Sequence, residues 1–140
     1  MSSHPVRRTT LMLPLLLLLV WSQTTLAAPP KDGRSWPGFI PLEPALVVNL
    51  DNPRRAQYLQ LNAQFYVENA TDAQTLEHHM PLVRHYLLLH FGGRDPEVMQ
   101  TSSIREQLRT EALEELQQIM LEHTGSTTIS GLYFTGFIVQ

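Results

Sequence analysis

The chain has no cysteine. That excludes a disulfide framework, and it removes the thiol that lipoprotein attachment needs. Basic charge is scarce as well: 10 Lys and Arg stand against 13 Asp and Glu in 140 residues. A chain with this balance does not read as a nucleic-acid binder, which wants a basic face. Unaided docking on anionic lipid is disfavoured for the same reason. Glycine builds no phosphate loop, because Gly92-Gly93 follows a helical segment instead of preceding one. Ser102, Ser103 and Ser126 are accounted for by helix starts and turns. Glu111, Glu114 and Glu115 lie on a helix face that reads as solvated. Nothing assembles a nucleophile, a base and an oxyanion site. The sequence therefore names no catalytic residue and no cofactor, and it does not read as an enzyme.

A long apolar run is missing too. Residues 11–21 are uncharged and mostly Leu. As a helix they would span roughly 16 Å, against roughly 30 Å for a bilayer core. Residues 1–10 hold Arg7 and Arg8 and no acid, and Thr25-Leu26-Ala27 places small residues where a signal peptidase reads. This order reads as a secretory signal over residues 1–27, cut after Ala27, with a short signal anchor as the competing reading. Either way Arg7 and Arg8 stay in the cytoplasm, and the rest of the chain lies across the membrane. An exported chain without cysteine fits a bacterial periplasm. Beyond the leader, residues 28–140 hold 8 Lys and Arg against 13 Asp and Glu, a net charge of −5. Asn69-Ala70-Thr71 is a formal glycosylation acceptor, read as a chance occurrence in a bacterial chain.

What is present is one domain's worth of patterned sequence. Residues 28–39 are rich in Pro, Gly and charge and read as a linker, ending in a docked segment at Trp36 and Phe39. Residues 40–140 are enough to bury a core. Residues 45–50 form a short apolar run closed by the turn signal Asp51-Asn52-Pro53. Residues 58–68 alternate, with Leu59, Leu61, Ala63, Phe65 and Val67 on one face. Gln60, Asn62, Gln64, Tyr66 and Glu68 take the other.

Leu76, Met80, Val83, Leu87 and Phe91 then recur at helical spacing. Pro81 either kinks this helix or opens its second half. Asp95-Pro96 starts a single turn, and Ser103-Ile104-Arg105-Glu106 reads as a capping box. The helix behind it runs to about Glu122, with Ile104, Leu108, Ala112, Leu116 and Ile119 inward.

Residues 129–140 form the last strand, with Tyr133, Phe137 and Val139 on one side and Leu132, Phe134 and Ile138 on the other. The expected fold is α+β: a small antiparallel sheet of about three strands with two main helices on one face, in the order strand, strand, helix, helix, strand. Two apolar faces on a terminal strand mean burial on both sides or commitment to a partner.

His78, His79, His85 and His90 crowd one helical segment beside Glu77. No two stand four apart, so the spacing does not favour a metal site. Leu82, Tyr86, Leu88, Leu89, Leu113 and Leu121 lie off the inward stripes. Such an apolar surface marks association.

Four segments stand in order along the chain: Pro41-Leu42-Glu43-Pro44-Ala45-Leu46-Val47-Val48-Asn49-Leu50, Pro81-Leu82-Val83-Arg84, Arg105-Glu106-Gln107-Leu108-Arg109 and Phe134-Thr135-Gly136-Phe137-Ile138-Val139-Gln140. Together they resemble the flagellar basal-body-associated FliL family. The signature positions are Leu42, Pro44, Asn49, Leu50, Pro81, Arg84, Leu108, Arg109, Phe134, Thr135, Phe137 and Gln140. The resemblance implies a periplasmic domain beside the inner membrane, similar in fold to stomatin and prohibitin domains. It implies self-assembly into a ring and association with stator and basal-body proteins in support of motility. Catalysis and cofactors form no part of it. His85 and Gly136 stand where an acidic residue is usual in the family, and Ile104 where a glycine is. The competing reading is a soluble periplasmic adaptor or binding module unrelated to flagella.

Overall fold

The computed structural model describes residues 33–140. The leader and its cleavage point after Ala27 lie outside the described residues. The elements are β1 (Gly38–Pro41), β2 (Leu46–Leu50), β3 (Gln57–Val67), α1 (Ala70–His78), α2 (Met80–Phe91), α3 (Pro96–Met99), α4 (Ser102–Thr124) and β4 (Gly131–Val139).

β3 organises the sheet. β1 and β2 both pair antiparallel with it, and β4 pairs antiparallel with it along its other edge. The alternation read in the sequence is what the backbone makes of it. Leu59, Leu61, Ala63, Phe65 and Val67 are all buried under the helices, while Gln60, Asn62, Gln64 and Tyr66 are half-buried on the far face. The α+β layer is as expected, with one strand more. Gly38 and Phe39, read as the end of the linker, are the first residues of β1, in register with Val67 and Tyr66.

Pro81 opens a helix instead of kinking one. α1 ends at His78, and α2 begins at Met80 with proline in its first turn, where a missing N–H costs nothing. Asn69, half of the formal glycosylation acceptor, caps α1: its side-chain oxygen accepts from Asp72 N–H at 2.9 Å. Asp95 caps α3 as expected, accepting from Glu97 N–H at 2.8 Å.

The capping box at Ser103 does not form. α4 starts earlier, with Thr101 as N-cap and no side-chain cap bond. The box would need Glu106 to reach back, but the Arg109 guanidinium holds that carboxylate from the next turn. At its other end α4 stops at Gly125, whose φ of 79° is the left-handed conformation that favours glycine there. Leu108, Ala112, Leu116 and Ile119 face inward, joined by Met120, and Ile104 is only partly covered.

The faces of the last strand differ from the simple alternation. Asn62 pairs with Gly136 and Ala63 with Phe134, so Thr135 is an extra residue, a β-bulge. One inserted residue reverses the parity of everything after it. Leu132, Phe134, Phe137 and Val139 consequently all face the helix layer. Tyr133 and Ile138 both face outward, about half exposed.

Candidate interaction site

β4 carries the features that the core does not explain. Behind it lies an aromatic cluster in which Phe91 meets Phe134 at 5.8 Å and Phe137 at 6.3 Å between ring centroids. Phe91 is fully buried, and the other two are half-buried against it. In front of it, on the outer face of the sheet, Phe39 packs on Tyr66 at 5.2 Å and on Tyr133 at 5.8 Å. Gly131 makes that cluster possible. A Cβ there would stand 2.8 Å from the Tyr133 ring and 3.3 Å from the Tyr66 Cβ. Further along the same face, Val47 and Ile138 flank Gln60 in register. Phe39, Val47, Tyr58, Tyr133 and Ile138 are all exposed. Among the described residues, nothing packs over this face.

A cleft runs between β4 and the first turns of α4. Its larger part, about 490 Å³, is lined by Ser102, Arg105, Glu106, Arg109 and residues 133–137. A second depression of about 320 Å³ lies beside Phe137, Ile138 and Val139, and Arg105 lines both. The Arg105 guanidinium sits over the Phe137 ring, 5.8 Å from its centroid. Its Nε is buried and has no hydrogen-bond partner.

Arg109 is fully used by contrast. Nε and Nη2 grip the Glu106 carboxylate, and Nη1 donates to the Leu132 carbonyl at 2.9 Å. The hydrogen bond from Arg109 holds the Glu106 carboxyl below the usual carboxylate range. The same bond raises Arg109. Gln117 makes a second tie from α4, donating to the Ile129 carbonyl at 2.7 Å.

The expected signature residues divide between scaffold and cleft. Leu42, Leu50 and Leu108 are core. Arg84 donates to the Pro44 carbonyl at 2.6 Å and so fastens α2 to the corner between β1 and β2. Asn49 accepts from Gly93 N–H at 3.0 Å, and Gln140 exchanges two backbone bonds with Tyr58. Pro81 is exposed in the first turn of α2. Arg109, Phe134, Thr135 and Phe137 come together around the cleft. Two residues outside the signature belong with them. Arg105 was visible only as part of a helix motif, and Tyr133 only as one more apolar residue of the last strand.

The histidines stand apart from this site. His90 links α2 to α4, with Nδ1 3.0 Å from Glu115 Oε2 and Nε2 3.1 Å from the Leu108 carbonyl. His79 Nδ1 lies 2.8 Å from the Thr75 carbonyl. Among the described residues no three metal-ligating side chains converge. No helix among them is long and apolar enough to cross a membrane.

The fold is a small α+β layer with exposed aromatic and aliphatic side chains on its outer sheet face and an open cleft along its last strand. Comparison with known proteins gives this fold a family. Residues 39–140 match the family model described as flagellar basal body-associated protein FliL, and the chain belongs to the FliL family. It is similar to the flagellar protein FliL of Aquifex aeolicus (strain VF5), at 26% identity over 113 residues. That match covers 81% of this chain and 65% of the relative, so the chain spans just under two thirds of that protein's length.

Proposed function

We propose that this is a non-catalytic flagellar basal-body and motor-associated protein. It assembles in the periplasm beside the inner membrane and supports stator function and motility. Family membership supports the flagellar setting. The charged, apolar, small-residue order of residues 1–27 supports export. One structural observation carries the assembly role: the outer face of the sheet exposes two apolar groups, Phe39 with Tyr133 and Val47 with Ile138, on either side of Asn62. Exposed aromatic and aliphatic side chains grouped on one face mark a surface that another chain covers. The partners are further copies of this chain, closed into a ring, and stator or basal-body proteins. The signature residues fit such a role: Leu42, Leu50, Leu108 and Arg84 hold the sheet, and Arg109, Phe134, Thr135 and Phe137 gather at the cleft.

Deleting the gene and measuring spreading in soft agar and swimming under viscous load tests this reading. Loss of motility under load is expected, restored by the wild-type chain. A chain carrying Tyr133→Ser and Ile138→Ser should restore it poorly, since both side chains are half exposed and neither is core. Unchanged swimming and torque in the deletion strain would overturn the proposal.

A further inference from the structure

The two edges of the sheet are treated differently. The edge formed by β1 and β2 is blunted. Pro41 and Pro44 interrupt it, and Arg84 occupies the Pro44 carbonyl. The loop after α2 takes up its outward groups, with Gly93 N–H on the Asn49 carbonyl and Asp51 N–H on the Arg94 carbonyl, both at 3.0 Å.

The edge of β4 has little such protection. Among the described residues β4 pairs only with β3. Tyr58 and Gln140 exchange both backbone bonds, and in an antiparallel ladder such pairs alternate. Phe137 and Val139 therefore turn their N–H and C=O groups away from β3, toward the cleft. Arg109 covers the Leu132 carbonyl, but no proline or lysine stands anywhere in Gly131–Val139. A long, apolar, uncharged edge is a template for another strand.

Charge says which kind of strand. Two guanidiniums line the cleft, and only one of them is answered by a carboxylate. Arg105 makes no ion pair among the described residues, and its buried Nε lacks an acceptor. A buried donor without a partner is costly, and a carboxylate is the acceptor that returns most. A second copy of this edge is a poor occupant. Pairing two β4 strands about a two-fold axis would set Arg105 and Arg109 of one copy against those of the other.

We propose that the outer edge of β4 is a docking site for an extended, acidic segment of a partner protein. The segment adds as a strand beside residues 134–139 and places a carboxylate on Arg105. The inference rests on reading the domain as a module that binds other proteins, and it names the chemistry of one partner and the place where it binds.

The test uses short fluorescein-labelled peptides in which valine alternates with glutamate, glutamine or lysine, titrated into the full chain. The glutamate peptide should bind about five- to tenfold more tightly than the glutamine peptide, and the lysine peptide least. Arg105→Gln should abolish the preference for glutamate, and Arg105→Lys should keep part of it. In the wild-type chain, hydrogen exchange at the Phe137 and Val139 amides should slow when the glutamate peptide is bound. That readout does not depend on any variant folding.

Equal binding of the three peptides, or binding without protection of those two amides, would overturn the assignment. So would protection that rises with protein concentration alone, since that gives the edge to a second copy. A motility defect on gene deletion without peptide binding would also overturn it, while leaving the motor role intact.

Discussion

Arg109 donates from Nη1 to the carbonyl oxygen of Leu132 at 2.9 Å, and this bond ties the N-terminal half of α4 to the outer edge of β4. The rest of the guanidinium is fixed by Glu106 one turn back. A planar fork gives the carboxylate two donors and the carbonyl a third from a separate nitrogen; an ammonium has no such fork. Arg109→Met keeps most of the stem and removes every donor. It should cost about 1–2 kcal/mol, the net worth of such a bond plus the stranded carbonyl. Arg109→Lys should recover only part of this. Urea unfolding of the three proteins measures it, and equal midpoints would mean that water replaces the bond without loss.

The same pair sets a pH dependence. Arg109 lowers the Glu106 carboxyl below its ordinary value. A group whose folded-state pKa is depressed contributes stability above its unfolded pKa, near 4.3, and loses it as pH falls through the lower folded value. Glu106→Gln should therefore be less stable than wild type at about pH 7 and indistinguishable from it at about pH 2. The carboxylate is exposed, so the gap should be small and should shrink in molar salt. A gap that persists at low pH would assign it to packing instead of charge.

The parts of the fold that were legible in the sequence are those where one residue type answers one local demand. The run from Leu59 to Val67 alternates because one face of β3 is covered and the other is not. Pro81 and Pro96 stand in the first turns of α2 and α3, where proline fits. The parts that were not legible depend on a competition between distant groups. Glu106 has the spacing of a capping residue, yet Arg109 offers it two charged donors and takes it. Phe39 has the setting of a linker, yet pairing with Tyr66 draws it into a strand. The cleft was legible only in half. Phe134 and Phe137 stood out as a motif, while the role of Arg105 depends on how α4 lies across β4, which no periodicity records.

Phe91 and Phe137 should separate in their cost. Phe91 is fully buried at the centre of its cluster, so Phe91→Ala should lose about 3–5 kcal/mol. Phe137 is half-buried beneath Arg105, and its ring is partly shared with the cleft. Phe137→Ala should lose about 2 kcal/mol, with the cavity open to water instead of sealed. Chemical denaturation of both variants gives the ranking. Equal losses would mean that Phe137 is core in solution and that the cleft beside it is closed.

Thr135 is the extra residue of β4 against β3. As the bulged residue it lets both Phe134 and Phe137 point to the helices, three positions apart, where a regular strand would send them to opposite sides. Deleting Thr135 restores strict alternation. In register with β3, Phe134, Gly136 and Phe137 would then face Ala63, Asn62 and Leu61 in an unbroken ladder, so Phe137 and Val139 stay on the helix side and Ile138 stays outward. The loss should be modest, about 1–2 kcal/mol, because no apolar side chain changes face and only the extra twist of the bulge is given up. Replacing Thr135 by Ser or Val keeps the extra residue and should change stability by less than about 1 kcal/mol, since the side chain is exposed. Gly136 stays opposite Asn62 in either strand, where a Cβ would stand 2.7 Å from Asn62 Nδ2. Thermal unfolding of the deletion and the two substitutions separates backbone count from side-chain identity. A deletion that costs several kcal/mol more than Thr135→Val would mean that the twist of the bulge, and not only the residue count, seats Phe134 and Phe137 against the helices.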